Sequence, residues 1–342
     1  MPTLYVHAGV HRTATSSIQK FLRDNDKVLL SKGYLYPFAV PRHAAQIKQM
    51  VTKKVSAADF AADLLRQIER ETVPVHSVVL SDEDISSISN PEIFSGLQEK
   101  FDVKVVVSLR RQDLWLESWY LQNIKWQWNP NLAHLPFDDF LQRREHFFWI
   151  DYACHLTKYE KVFGQGSVLA MVFEKTEMPN GPIVALLNQL GITDLVGFGP
   201  LLNINSSLSP MMTEFMRHLP LDTINRLERA MFEKAFAAVD ARIHSNGSKL
   251  LLSYDKRLEI LADYAQSNRT VATRYFNRDS LFLEPVPDRD APLADRTLPQ
   301  SSQDLLAMMV APMVQQLGEV MQAARLSRQN GKRSRQLEIR NL

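Results

Sequence analysis

Apolar residues along the chain follow two rhythms, and the change from one to the other predicts the architecture. Short apolar runs at 4–7, 34–37, 75–80, 101–109 and 167–174 end in polar, glycine or proline residues, as strands buried on both faces do. FDVKVVVSL at 101–109 is the strongest, β-branched and nearly uninterrupted, as expected at the centre of a parallel sheet. Between these runs the period changes. Ile18, Phe21 and Leu22 share one face of a helix starting near residues 13–16, while Gln19, Lys20, Arg23 and Asp24 fall elsewhere. Further helices are predicted over 57–71 and 113–126, and His43 opens another. Beyond Pro200 the pattern is mostly helical, over 211–217, 221–239 and 254–276. A connector marked by Pro285, Pro287, Pro292 and Pro299 precedes a last amphipathic helix over 303–325.

Strands alternating with helices predict an α/β fold: a central parallel sheet with helices on both faces, plus a mainly helical C-terminal half. The expected organisation is one domain over 1–325, with an α/β core at 1–200 and a helical cover at 201–325. Residues 326–342 are expected to form a flexible basic tail. Residues 325–340 carry six Lys or Arg against Glu338, a run whose ordinary role is a solvated surface.

Composition narrows the function. Of 342 residues, 45% are hydrophobic and 23% charged, which excludes wholesale disorder and leaves ample material for a core. Lys plus Arg number 40 against 38 Asp plus Glu, so no global basic field points to nucleic acid and any anion site must be local. Cys154 is the one cysteine, so no intramolecular disulfide forms; the thiol is expected to be buried and the location cytoplasmic. No stretch approaches the roughly 20 apolar residues of a membrane span. The histidines lack metal-ligand spacing, so no metal is predicted.

Candidate chemistry begins at the first strand-to-helix turn, His7 to Gln19. A strand running through small residues into a helix presents backbone N–H groups and a positive helix end to an anion. Gly9, His11, Arg12, Thr13, Ala14, Thr15, Ser16 and Ser17 supply one fixed cation and a run of hydroxyls there. The GxxxxGK[ST] pattern of nucleotide triphosphatases is absent. The bland alternative is that Thr13, Thr15 and Ser16 cap a surface helix. After the central strand, SLRRQDLWLESWYLQ places Arg110 at a strand's carboxyl end and Ser118 eight residues on, two helical turns along. The competing reading pairs Arg110 and Arg111 with Asp113 and Glu117 on the surface, with Trp115, Trp119 and Tyr120 in the core.

HAGVHRTATSSIQKFL resembles the 5′-phosphosulfate loop of sulfotransferases that use 3′-phosphoadenosine 5′-phosphosulfate (PAPS), in the bacterial form HxGxxKTGTTSIQ. Arg110 and Ser118 resemble that family's 3′-phosphate motif. LSDEDIS, LLNINSSLSP and YAQSNRTVATRYFNRDSLF extend the resemblance over most of residues 1–285. The resemblance implies a P-loop-type three-layer sandwich, PAPS as co-substrate and sulfuryl transfer to an acceptor hydroxyl, on a carbohydrate or another hydroxyl compound. Arg12 stands where the family has lysine, and Ala14 replaces a common glycine. Arginine stabilises a leaving phosphate but donates no proton, and alanine costs little only at negative φ. Glu83 resembles the catalytic glutamate of carbohydrate sulfotransferases, with Asp82, Asp84 and His43 as alternatives for the base. Acidic residues there also suit a helix N-cap. Lys125, Trp126 and Trp128 are candidates for the acceptor site, and Asn205, Ser207, Asn268 and Arg269 for donor contacts. Two other functions compete: a nucleotide-binding protein of this fold with altered catalysis, and a P-loop-like small-molecule kinase.

Overall fold

Among the residues described in the computed structural model, 1–201, 208–243 and 247–340 with side chains through 326, five strands form one sheet. They are β1 Thr3–His7, β2 Tyr34–Leu35, β3 Ser77–Ser81, β4 Asp102–Leu109 and β5 Val168–Val172. All pair in parallel, in the order β2-β3-β1-β4-β5. β1 is central: His7 lies opposite Ser81 of β3 and Val106 of β4. The chain places β3 on one side of β1 and β4 on the other, so the carboxyl ends of these three strands flank a topological switch point. That is where open parallel sheets hold ligands.

Both faces of the sheet are covered, as the continuous apolar runs predict. The helices nearest the chain start are α1 Thr15–Asp24, α2 Asp26–Ser31, α3 Ala44–Val51 and α4 Ala57–Arg70, and α5 Gln112–Trp126 follows β4. On one face Ile18, Phe21 and Leu22 of α1, with Ile183, Leu186 and Leu187 of the helix Gly181–Gln189, cluster with Val79, Val106 and Met171. Alternate strand residues turn the other way. Val6, Leu80 and Val105 meet Ile47 of α3, Phe94 and Leu97 of the 3-10 segment Pro91–Glu99, and Tyr159 and Phe163 of the helix Tyr152–Phe163. Each such side chain contributes about 1.5–3 kcal/mol when fully buried.

The chain divides into two compact units. The first comprises Met1–Leu116, Arg143–Ile204 and Tyr254–Asp288, and the second Glu117–Gln142, Asn205–Ser253 and Arg289–Leu342. The helical half expected after residue 200 is therefore shared between them. In the first unit Tyr254–Asp263 and Ala265–Phe276 join the α/β layers through buried polar ties. Asp113 accepts from Arg111 Nε at 2.8 Å and from Arg257 NH1 at 2.5 Å, and both arginines are buried. Arg111 and Asp113 do pair, but in the interior rather than on the surface. The partner that allows this, Arg257, lies far away in sequence. Gln112 and Asn268 exchange two hydrogen bonds, at 2.8 and 3.0 Å.

The second unit is helical. Its buried residues include Tyr120, Ile124, Phe137, Phe140, Met216 and Phe236, and the helix Ala311–Arg340 packs on Arg226–Asp240. Glu117 accepts from the backbone of Leu251 and Leu252 at 2.7 and 2.8 Å. Cys154 is exposed, against the expectation of a buried thiol, because it lies on the outer side of its helix while His155, Leu156 and Tyr159 face inward. Among the described residues no helix is long and apolar enough to cross a membrane.

Candidate active site

The loop leaving β1 follows β4 before it turns. Ala8 and Val10 donate to the carbonyls of Val106 and Ser108 at 3.0 and 3.2 Å, and Ser108 donates back to Gly9 at 2.5 Å. Gly9 has φ 91°, and a Cβ there would lie 3.0 Å from the Glu83 Cβ, so glycine alone lets the loop pass this close to the end of β3. Arg12 and Ala14 also lie in the left-handed region, at φ 68° and 61°, on either side of Thr13. The condition under which alanine would replace glycine cheaply is not met, and each such residue costs roughly 1–2 kcal/mol. Left-handed residues alternating with ordinary ones turn consecutive N–H groups toward a common concavity suited to an anion.

The hydroxyls divide in role. Thr13 is fully buried and donates to the Val10 carbonyl at 2.6 Å, closing the loop. Thr15 and Ser17 are buried and Ser16 is exposed. The residue at the N-cap of α1 is Ala14, with no side-chain cap, so the hydroxyls are not serving as that cap.

Arg110 leaves β4 directly toward this loop. The Tyr152 hydroxyl accepts from its N–H at 3.1 Å and donates to its carbonyl at 2.5 Å, and its guanidinium lies 5.8 Å from the Phe173 ring. From NH1 it donates to the Arg12 carbonyl at 2.8 Å. Burial, and then the charge of Arg110, pull the Arg12 guanidinium down to about 10, still cationic at neutral pH. Arg110 is thus bonded to the Arg12 main chain, and its charge acts on the Arg12 guanidinium, in the loop that leads into α1. Ser118 lies two turns into α5, within the second unit.

The acidic end of β3 faces the same loop. Glu83 is nearly buried. Gln19 of α1 donates to its Oε2 at 2.5 Å, and Arg42 NH1 lies 3.4 Å from its Oε1. Burial raises the Glu83 carboxyl, but Arg42 and His11 outweigh burial and hold it below the ordinary carboxylate range, hence ionised. Asp82 caps the following 3-10 turn by accepting from Asp84 N–H at 3.1 Å; burial pushes it up to about 6 against the pull of Arg42. Asp84 is exposed and lies 3.5 Å from His11 Nε2.

His7 and His43 are held by hydrogen bonds beside the end of β3. His43 accepts from Ser81 N–H at Nδ1 and donates from Nε2 to the Pro37 carbonyl, both at 2.9 Å, which uses both nitrogens of the neutral ring. His7 is fully buried with Nδ1 2.7 Å from the Ser81 hydroxyl. Burial pulls both histidines down to about 4.

Lys125 and Trp126 end α5 in the second unit, with Lys125 Nζ 5.8 Å from the Trp126 ring and the Trp126 and Trp128 rings 5.0 Å apart. Asn268 is engaged by Gln112 and Arg269 is exposed, while Asn205 and Ser207 lie outside the described residues. Sequence reading missed Arg42, Gln19 and Tyr152. By its spacing Gln19 falls only on the polar side of α1. Nothing in local spacing marks Arg42 or Tyr152, whose partners are 40 or more residues away.

No protein-family model matches the chain. An uncharacterized protein of Archaeoglobus fulgidus is 26% identical over 184 residues, 53% of this chain and 48% of that protein, so the chain spans about half the length of the curated relative it matches. A sulfotransferase from Alicyclobacillus acidocaldarius, known from its crystal structure, superposes with a TM-score of 0.36 at 15% identity, over 71% of this chain and 93% of that one. At that score the likeness assigns no activity to this chain.

Proposed function

We propose that the chain transfers a sulfuryl group from PAPS to an acceptor hydroxyl on a carbohydrate. The supporting observation is the convergence of Arg12 and Arg110: a guanidinium bonded to the main chain of a second arginine and acting on its charge, before a helix start and with a left-handed backbone beneath, suits a ligand carrying several negative charges. The resemblance of the loop to the 5′-phosphosulfate loop, and of Arg110 and Ser118 to the 3′-phosphate motif, selects PAPS among such ligands.

In this reading the acceptor oxygen bonds to sulfur as the bond from sulfur to the bridging oxygen of the 5′-phosphate breaks. The 5′-phosphate of 3′-phosphoadenosine 5′-phosphate (PAP) is the leaving group. The chain supplies position and charge. Gly9 and residues 11–17 carry the 5′-phosphosulfate, and Arg12 stabilises charge on the bridging oxygen without giving up a proton. Arg110, which the resemblance pairs with Ser118, holds the 3′-phosphate. Glu83, ionised and beside the loop, takes the proton of the acceptor hydroxyl. His43 serves to hold the end of β3, its ring nitrogens being committed to backbone. Acceptor recognition by Lys125 and Trp126 is proposed for the second unit's own surface, where an aromatic pair beside a lysine suits a sugar face.

Calorimetry with PAP, with ATP as comparison, tests this reading. PAP is expected to bind more tightly than ATP and to lose its affinity in Arg110→Ala, while Glu83→Gln still binds PAP but does not turn over PAPS. Folded protein that binds no PAP, or prefers ATP, overturns it.

A further inference from the structure

One guanidinium grips three consecutive carboxylates at the end of β3. Arg42, in the loop before α3, places Nε 2.6 Å from Asp82 Oδ1 and NH1 3.4 Å from Glu83 Oε1, and pairs through NH2 with Asp84 Oδ2. His43, the next residue, is anchored to the same strand end, since its N–H donates to the Ser81 carbonyl at 3.1 Å and its ring accepts from Ser81 N–H. That anchor fixes the Arg42 main chain beside the strand end that carries the carboxylates. On the opposite side, Gln19 holds the second oxygen of Glu83 from α1. Resting on the sulfuryl-transfer reading, we propose that Arg42 is the positioning residue of Glu83: with Gln19 it clamps the carboxylate between the loop before α3 and the first helix, fixed in place and in charge to receive the acceptor's proton.

The groups facing Glu83 from each neighbouring element are few. His7 and His11 come from β1 and its loop, Tyr36 from the segment after β2, Arg42 from the loop before α3, and Asp82 and Asp84 from its own turn. Burial lowers His7 and His11, and Tyr36 is held far above neutrality, so Arg42 is the permanent cation among them. Without it, burial dominates and a carboxylate flanked by two others tends to protonate.

The test uses the full chain and three variants, Arg42→Gln, Arg42→Lys and Glu83→Gln. Glu83 is followed by carbon-13 NMR of labelled glutamate carboxyls, with Glu83→Gln identifying its resonance. The Glu83 midpoint is expected to move upward in Arg42→Gln and less in Arg42→Lys. PAP affinity should stay within about twofold, because a base-positioning residue does not hold the donor, and kcat should fall by up to about a hundredfold. The acid limb of the rate profile should move to higher pH with the midpoint. An unmoved midpoint in folded Arg42→Gln, or in Arg42→Lys if the glutamine variant does not fold, overturns the proposal, as does a PAP affinity that falls as far as the rate. The titration needs no ligand, so wild-type protein that fails to bind PAP refutes the sulfotransferase reading separately from the coupling of Arg42 to Glu83.

Discussion

Arg110 donates from its guanidinium to the backbone carbonyl of Arg12 at 2.8 Å, although the two lie 98 positions apart and each follows a different strand. The bond is possible because β1 and β4 are neighbours and the loop after β1 keeps to β4 through Val10. It holds two like charges near each other, an arrangement that a polyanion relieves.

Replacing Arg110 by lysine keeps the charge but removes the planar fork that reaches both a ligand oxygen and the Arg12 carbonyl. Affinity for PAP is expected to fall roughly tenfold in Arg110→Lys and about a hundredfold in Arg110→Ala, in line with the worth of charged hydrogen bonds. Equal losses in the two variants would show that geometry, and not charge, sets binding.

Ala14 and Gly9 have opposite expected responses. Ala14→Gly removes the cost of a side chain at φ 61°, and after the added freedom of the unfolded chain should stabilise by up to about 1 kcal/mol. Gly9→Ala meets Glu83 as well as an unfavourable φ and should destabilise clearly. Urea unfolding of the two variants checks both signs.

Stability should fall as pH drops from about 6.5. His7 and His43 are held to about 4 and His155 to about 3 by burial, so the unfolded chain binds protons that the folded chain refuses. Their contribution is complete above pH 6.5 and is lost as pH falls through the folded values. Asp82, raised to about 6, acts oppositely: its contribution is present below the ordinary aspartate range and lost as pH rises through 6. A tenfold change in proton affinity on folding is worth about 1.4 kcal/mol, so three displaced histidines prevail over one aspartate. Urea midpoints at pH 7 and pH 5 test this, and a midpoint that is higher at pH 5 contradicts it.

Asp113→Ala leaves Arg111 and Arg257 buried without their shared carboxylate. A loss of about 3–5 kcal/mol is expected, the usual cost of breaking a buried ion pair from one side. Thermal unfolding measures it, and a loss under about 1 kcal/mol, the ordinary worth of an exposed pair, would place these charges in water.

The sheet was legible in the chain because strands buried on both faces need continuous apolar runs, and 101–109 carries the clearest one. The β1-to-α1 turn was legible for a similar reason: Gly9 and the run of small hydroxyl residues precede an apolar face at helical spacing, a pattern local to about a dozen residues. Arg12 and Arg110 are each marked by a local pattern, a strand that leads into a helix.

Their meeting was decided by strand order, which no local pattern contains. The same holds for the burial of the Arg111–Asp113 pair by Arg257, for the commitment of His43 to backbone, and for the grip of Arg42 on Glu83. The left-handed backbone at Ala14, against the preference of alanine, is likewise a feature of the folded loop and not of its local sequence. Local residue preferences act over a few residues and fix which segments form strands and helices; the partners of a charged side chain are chosen by packing between segments far apart in sequence, and only the folded chain brings those segments together.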